Sequence, residues 1–268
     1  MKVFYFCLTL MFFIGCAATE NSNLNSTLWM QTAAEYQANS IQTYHAALAN
    51  IPRALNDKSW TAALEQSTDF ESLPPAVVFD VDETVLDNSA YEAHLLKTNT
   101  TYSSESWNQW ISMKAANAVP GAVDFINKIQ EMGITPIYIT NRACLSSATA
   151  DNTCQQEYDT IENLKKVGIN NVSKENLLLK NEQKGWTSEK KSRREYLASR
   201  YRIIMLFGDD LGDFLPDAKS NVTCAQRSEL VNTHVDKWGT KWFVLSNPTY
   251  GSWYNILNNP KEQYLRGY

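Results

Sequence analysis

One stretch of this sequence, Ala76-Val77-Val78-Phe79-Asp80-Val81-Asp82-Glu83-Thr84-Val85-Leu86-Asp87-Asn88, constrains the fold more than any other. An apolar run ends in two aspartates spaced by one residue, with a threonine close behind. A strand buried inside a sheet has this character, and in open α/β sheets ligands sit beyond the carboxyl ends of the strands. Asp80 and Asp82 therefore stand where a sheet delivers carboxylates to its rim. Taken alone, such aspartates serve equally well to cap a following helix. The string is longer than a cap requires, and partners downstream share its character.

Strand-like apolar runs at 134–140, 176–179, 201–207 and 241–245 alternate with helical patterns at 155–167 and 189–199. Pro120 opens a further helix and Gly133 closes it, the usual placement of these residues at helix ends. Upstream, Trp29, Ala33, Tyr36, Ile41, Tyr44 and Leu48 recur at helical spacing, which predicts a helix over 27–48. A second helix is expected over 59–66, and Pro74-Pro75 breaks structure before the first strand. Between Asn88 and Val119, aromatic and polar residues mix without a strand signal. Strands separated by helices imply a parallel sheet covered on both faces. The expected class is α/β: a Rossmann-like parallel sheet with helices on both faces and a small, mainly helical cap inserted at 88–119, all within one domain over 27–268.

Met1, Lys2 and an apolar run over 3–14 read as a secretory signal, too short to span a bilayer comfortably. Phe13-Ile14-Gly15-Cys16 resembles a lipobox, which implies cleavage after residue 15, acylation of Cys16 and a polar tether over 16–26. An ordinary secretory signal with Cys16 incidental is the alternative. Ala17 lacks the aspartate linked to inner-membrane retention, so the expected place is the cell envelope, lipid-anchored on an outer membrane. The whole chain carries a formal net charge of −5. That argues against a nucleic-acid groove, which needs clustered Lys and Arg. Cys144 and Cys154 flank a polar loop; an oxidising compartment permits a disulfide there, with two unpaired thiols as the alternative. No cysteine spacing suggests zinc, and His45, His94 and His234 are scattered.

Three more features lie at strand or helix ends: Ile139-Thr140-Asn141-Arg142, Lys190-Lys191-Ser192-Arg193-Arg194, and Phe207-Gly208-Asp209-Asp210-Leu211-Gly212-Asp213-Phe214. Each alone is weak, since a terminal Thr caps helices, a lysine run is often solvated and Gly-Asp is often a turn. Together with the first string, their order resembles the haloacid dehalogenase superfamily, and the extension Glu83-Thr84-Val85-Leu86-Asp87-Asn88 is similar to the class C acid phosphatases, bacterial lipoprotein enzymes. The resemblance implies that Asp80 attacks phosphorus and forms an aspartyl-phosphate. Asp82 then acts as general acid and base and gives its backbone carbonyl to a metal. Asp80 and Asp209 complete the protein ligands to Mg²⁺ or another divalent cation, with Asp213 orienting metal-bound water or the lysine. Thr140 and the Asn141 amide hold phosphoryl oxygens, and a lysine neutralises charge. Matching Arg194 to the family's downstream arginine selects Lys191 over Lys190. Asp210 occupies a place where the family often has asparagine, which adds negative charge near the metal.

Leu245-Ser246-Asn247-Pro248-Thr249-Tyr250-Gly251-Ser252-Trp253 is similar to the family's Asn-x-x-Tyr-Gly-x-Trp element. The resemblance implies a small phosphate monoester as substrate, nucleoside 5′-monophosphates foremost. Tyr102 and Tyr250 are then the expected sandwich for the base, with Trp107 and Trp110 lining the same pocket. Packing of the cap against the sheet is the alternative for all four. A non-catalytic, lipid-anchored nucleotide-binding protein is a second reading, and a phosphotransferase that delivers the phosphoryl group to an alcohol is a third.

Overall fold

The computed structural model describes residues 23–145 and 154–268; Cys16, its lipobox and the tether's first residues lie outside the described residues. Its centre is a parallel five-stranded sheet in the order β5-β4-β1-β6-β7, with β1 Pro75–Phe79, β4 Thr135–Ala143, β5 Leu177–Lys180, β6 Arg202–Gly208 and β7 Trp242–Val244. The chain builds outward from β1 to β4 and β5, then returns to add β6 and β7 on the other side of β1. The winding therefore reverses between β1 and β6, the kind of point beyond whose strand ends open α/β sheets bind their ligands.

Alternating residues of each strand feed two cores. Val77, Phe79, Tyr138, Leu177, Leu179 and Phe207 meet Tyr44, Ala47 and Ile51 of α2 (Ala34–Asn56), Phe125, Ile126 and Ile129 of α5 (Ala122–Glu131) and Leu164 of α6 (Gln155–Lys166). Ala76, Val78, Ile137, Ile139, Leu178 and Leu206 meet Leu197 of α7 (Lys191–Ala198) together with Trp186, Phe214 and Trp242. Both faces are covered, which is why the strands read as continuous apolar runs. Just below the carboxyl edge, Tyr138, Phe79, Phe207 and Phe243 are paired in register, one per strand. Neighbouring ring centroids lie 5.9, 4.9 and 5.0 Å apart along this row. The row forms a rigid floor under the strand ends.

Between β1 and β4 the chain forms a two-stranded antiparallel ribbon, β2 Leu86–Asp87 with β3 Asn117–Ala118, and two helices, α3 Ser89–Thr98 and α4 Ser104–Met113. Ser103 caps α4 reciprocally with Ser106. Among the described residues no helix is long and apolar enough to cross a membrane.

Two expectations are corrected, and one helix is added. The helix expected over 27–48 is broken at Ala33, whose ψ of 124° separates α1 (Leu24–Thr32) from α2. The break lets α1 turn onto α3, where Asn23 donates to Glu92. The segment 59–66 is not a helix. Its groups bond to β6 and its neighbours instead: Ala62 N–H donates to Ile203 O, the Trp60 indole to Ile204 O, and the Gln66 amide to the Ala198 and Tyr201 carbonyls. A helix not anticipated, α8 Cys224–Thr233, begins with a reciprocal cap between Thr223 and Gln226. That pairing has the spacing of a capping box and was readable in the sequence.

Candidate active site

The site grows from the ends of β1 and β6. Asp80 follows β1 directly, and its N–H donates to Phe207 O on β6 at 2.9 Å. The chain then turns sharply: Val81 O accepts from both Val85 N–H and Leu86 N–H, at 2.8 Å each, with Glu83 in the left-handed region at φ 59°. This turn folds Asp82 back over the sheet edge. At the end of β6, Gly208 is obligatory, because a β-carbon there would collide with the Asp213 carboxylate. The glycine lets Asp213 lean back over the strand end. Carboxylate oxygens of Asp80, Asp209 and Asp213 thereby come within 4.8 Å of one another.

Lys190 enters this cluster from the start of α7. Its ammonium lies 2.7 Å from Asp213 Oδ1 and also contacts Asp80 Oδ1. Its side chain is 3% exposed, whereas that of Lys191 is 50% exposed and paired with Glu195. The expectation for Lys191 is thus corrected to Lys190. The physical reason is helix phase: Lys190, Arg193, Arg194 and Leu197 fall on one buried face, and Lys191 and Glu195 on the outer one.

Burial pushes the Asp80 carboxyl up to about 7; Lys190 opposes the shift, and Asp213 and Asp82 add to it. Asp209 is raised well above the usual carboxylate range by burial and by Asp80 and Asp213. Burial works against the charge of Lys190, but Asp213 and Asp80 outweigh it and hold the ammonium above its ordinary value. Glu83, also buried, is raised by burial and by Asp82 and Asp209, and it accepts from Asn88 N–H at 2.7 Å.

Asp82 lies beside the cluster. Its oxygens accept from Arg142 Nη2 at 2.8 Å, Arg142 Nε at 3.1 Å and Asn88 Nδ2 at 2.9 Å, with the Thr140 hydroxyl at 3.4 Å. Asn88 also accepts from the Trp110 indole at 2.8 Å, so this tryptophan braces the Asp82 surroundings. Thr140 ends the central part of β4 and accepts Arg142 N–H at 3.0 Å, where the strand bulges over Asn141 before it pairs again at Ala143. Buried Arg193 secures that bulge by donating to Thr140 O, to Asn141 Oδ1 at 2.9 Å and to Thr187 O at 2.8 Å. Arg194 donates to Asp213 O at 2.8 Å and pairs with Glu65. The roles of Arg142 and Arg193 were missed from sequence, although both lie inside motifs that the sequence singles out.

The expected stacking residues stand apart. Tyr102 is 62% exposed on the cap, its ring 6.4 Å from Trp107, and Trp107 leads inward to the Arg142 guanidinium at 5.8 Å. Tyr250 sits in the C-terminal segment, held by its N–H to Asn247 Oδ1. No ring contact joins Tyr102 and Tyr250. A cavity of about 660 Å³ reaches Asp209 and Asp210 but is otherwise walled largely by apolar residues such as Trp238, Val244 and Trp253; Asp80, Thr140 and Lys190 do not line it. Asp210 lies outside the carboxylate cluster. Cys144 and Cys154 are joined as a disulfide, Cα–Cα 5.4 Å, which ties the end of β4 to the start of α6.

The sequence matches the family described as HAD superfamily, subfamily IIIB (Acid phosphatase) over residues 15–253. Among solved structures, the chain is similar to a class C acid phosphatase from Bacillus anthracis with tungstate bound: 31% identity, TM-score 0.76, 92% of this chain and 97% of that one. A second structure of the Bacillus anthracis class C acid phosphatase gives a TM-score of 0.73 at the same identity and coverage. Two curated relatives from Glycine max, the stem 28 kDa and stem 31 kDa glycoproteins, are each 29% identical over 143 residues. That match covers 52% of this chain and 52% and 45% of theirs, so the chain spans about half the length of these relatives.

Proposed function

Because the chain belongs to the acid phosphatases of HAD superfamily subfamily IIIB, we propose that it is a metal-dependent phosphatase hydrolysing phosphate monoesters, nucleoside 5′-monophosphates foremost. The single observation that carries this reading is the buried trio Asp80, Asp209 and Asp213 with Lys190 against it, at the winding reversal between β1 and β6. The related Bacillus anthracis structure has tungstate bound, a tetrahedral oxyanion shaped like phosphate.

The donor set suits a hard divalent cation. Three carboxylates gather in a buried place with one ammonium among them, and burial with mutual repulsion raises Asp80 and Asp209. Oxygen donors of this kind are what Mg²⁺ prefers. Asp80, Asp209 and the Asp82 backbone carbonyl would hold it, with Asp213 steadying Lys190. When bound, the ion supplies positive charge that screens the phosphate from the carboxylates.

The chain's own residues do the rest. Asp80 Oδ forms a bond to phosphorus as the ester P–O bond breaks, and Asp82 gives its proton to the departing alkoxide. Water then attacks phosphorus with Asp82 taking its proton, which frees phosphate and regenerates Asp80. The Thr140 hydroxyl and the Asn141 N–H hold phosphoryl oxygens, and Lys190 neutralises their charge. Tyr102 and Tyr250 offer aromatic faces to the base, worth roughly 1–3 kcal/mol per stacked base. Cys16 carries lipid and holds the enzyme to the cell envelope, on an outer membrane.

Phosphate release from adenosine 5′-monophosphate at acidic pH, with and without EDTA, tests the reading. Chelation should abolish release and Mg²⁺ should restore it. Asp80→Asn should fold and remain inactive. Full activity after thorough chelation contradicts the metal role, and turnover by Asp80→Asn contradicts the nucleophile.

A further inference from the structure

Asp210 follows Asp209 directly, yet its carboxylate is engaged elsewhere. Oδ1 accepts from Gly212 N–H and from the Ser252 hydroxyl, both at 2.8 Å, and Oδ2 accepts from Ser252 N–H at 2.6 Å. The Ser252 hydroxyl in turn accepts from Arg227 Nη1 at 2.7 Å. Arg227 also donates to Ala218 O, and the Ser252 hydroxyl links it to Asp210. Asp209 makes a parallel attachment, accepting from Asn247 Nδ2 at 2.8 Å. Asn247 Oδ1 then gathers Thr249 N–H at 3.0 Å, the Thr249 hydroxyl at 2.7 Å and Tyr250 N–H at 3.3 Å. Gly251 closes the arrangement at φ 138°, where a β-carbon would stand 3.3 Å from Asp210 Oδ2 and 3.1 Å from the Trp253 ring.

Two adjacent aspartates thus grip the segment at Asn247 and at Ser252, and Tyr250 lies between the grips. We infer that Asp210, with Ser252 and Arg227, is a positioning residue that sets Tyr250 against the substrate's base and so governs preference among phosphate esters. The inference rests on the nucleotide reading above. The donor count explains why aspartate stands here. Three donors converge on Asp210, and an asparagine has one acceptor oxygen and an NH₂ group that would face a donor. The extra negative charge is therefore met by Gly212 and by Ser252 of the C-terminal segment, and Asp210 stands outside the carboxylate cluster.

The test uses the full chain with Asp210→Asn, Ser252→Ala and Ser252→Thr, the last of which keeps the hydroxyl. Kinetics on adenosine 5′-monophosphate and on glycerol phosphate, which has no ring to stack, are paired with backbone hydrogen exchange over 247–253. Asp210→Asn and Ser252→Ala should raise KM for the nucleotide about tenfold more than KM for glycerol phosphate, the scale of one lost stacking contact. The effect should fall on KM more than on kcat, Ser252→Thr should recover it, and it should vanish in a Tyr250→Ala background. Exchange over 247–253 should quicken in the two weakened variants. An equal KM rise for both esters, a loss confined to kcat, or unchanged exchange would overturn the inference. A wild-type enzyme indifferent to the base would instead sink the nucleotide reading and the selectivity role with it, while exchange would still decide whether Asp210 secures the segment.

Discussion

Arg142 holds Asp82 side-on, with Nη2 at 2.8 Å and Nε at 3.1 Å from the same carboxylate oxygen. The guanidinium is buried and cannot turn freely, because Nη1 bonds the Thr160 hydroxyl on α6 at 3.2 Å and the Trp107 ring lies across it. A general acid works only when its proton is aimed at the leaving oxygen. Arg142→Ala should therefore lower kcat by roughly 10²-fold, within the range general acid–base catalysis contributes. Glycerol phosphate should suffer more than an aryl phosphate, since a phenol leaves without help. Parallel kinetics on the two esters check this; an equal loss on both would count against the aiming role.

Lys190 and Lys191 are neighbours in sequence with opposite environments. Lys190→Ala strips the cation from two buried carboxylates, a change that typically costs about 3–5 kcal/mol. It should both reduce turnover by at least about 10²-fold, as loss of a preorganised charge does, and lower Tm. Lys191→Ala should keep wild-type turnover and Tm. The pair of variants, assayed side by side, separates the two lysines.

Asp80 has a pKa of about 7 in the folded, metal-free protein, above the ordinary range of an unfolded aspartate, because burial disfavours its charge. The folded state then binds the proton more tightly than the unfolded state, so this group's contribution to stability is present at low pH and is lost as pH rises through about 7. Asp209 shifts in the same direction. The metal-free protein should show a higher Tm at pH 5 than at pH 8, judged after correction with the Asp80→Asn variant. Added Mg²⁺ should raise Tm more at pH 8, where it no longer competes with protons.

The aromatic row beneath the site predicts a large stability effect from one substitution. Phe207 stacks with Phe79, Phe243 and Tyr44, at 4.9, 5.0 and 5.2 Å. Phe207→Ala should cost about 3–5 kcal/mol, read from urea denaturation of the metal-free protein. A cost under about 1 kcal/mol would mean that the row does not brace the strand ends.

The strand-end residues are legible in the sequence because each follows an uninterrupted apolar run: Asp80 after Phe79, Thr140 after Ile139, Asp209 after Gly208. Lys190 is not, because the buried face of α7 is built largely from cations, Lys190, Arg193 and Arg194 with Leu197, and a search for apolar periodicity does not register it. Arg142 is hidden for a different reason. Its partner is delivered by the sharp turn at Val81, a feature of backbone geometry with no apolar pattern behind it. The segment 59–66 has helical spacing locally, and its hydrogen bonds to β6 override that propensity. Asp210 illustrates the limit of reading charge from position, since Ser252 lies far away in sequence and claims the carboxylate.

The most direct measurement is to trap the phosphorylated enzyme. Wild-type protein is mixed with labelled nucleotide, quenched in acid, reduced at the acyl-phosphate and mapped by mass spectrometry. The modification should fall on Asp80 alone and be missing in Asp80→Asn. A stoichiometric phosphoryl adduct on another residue, or steady turnover by Asp80→Asn, would contradict the account.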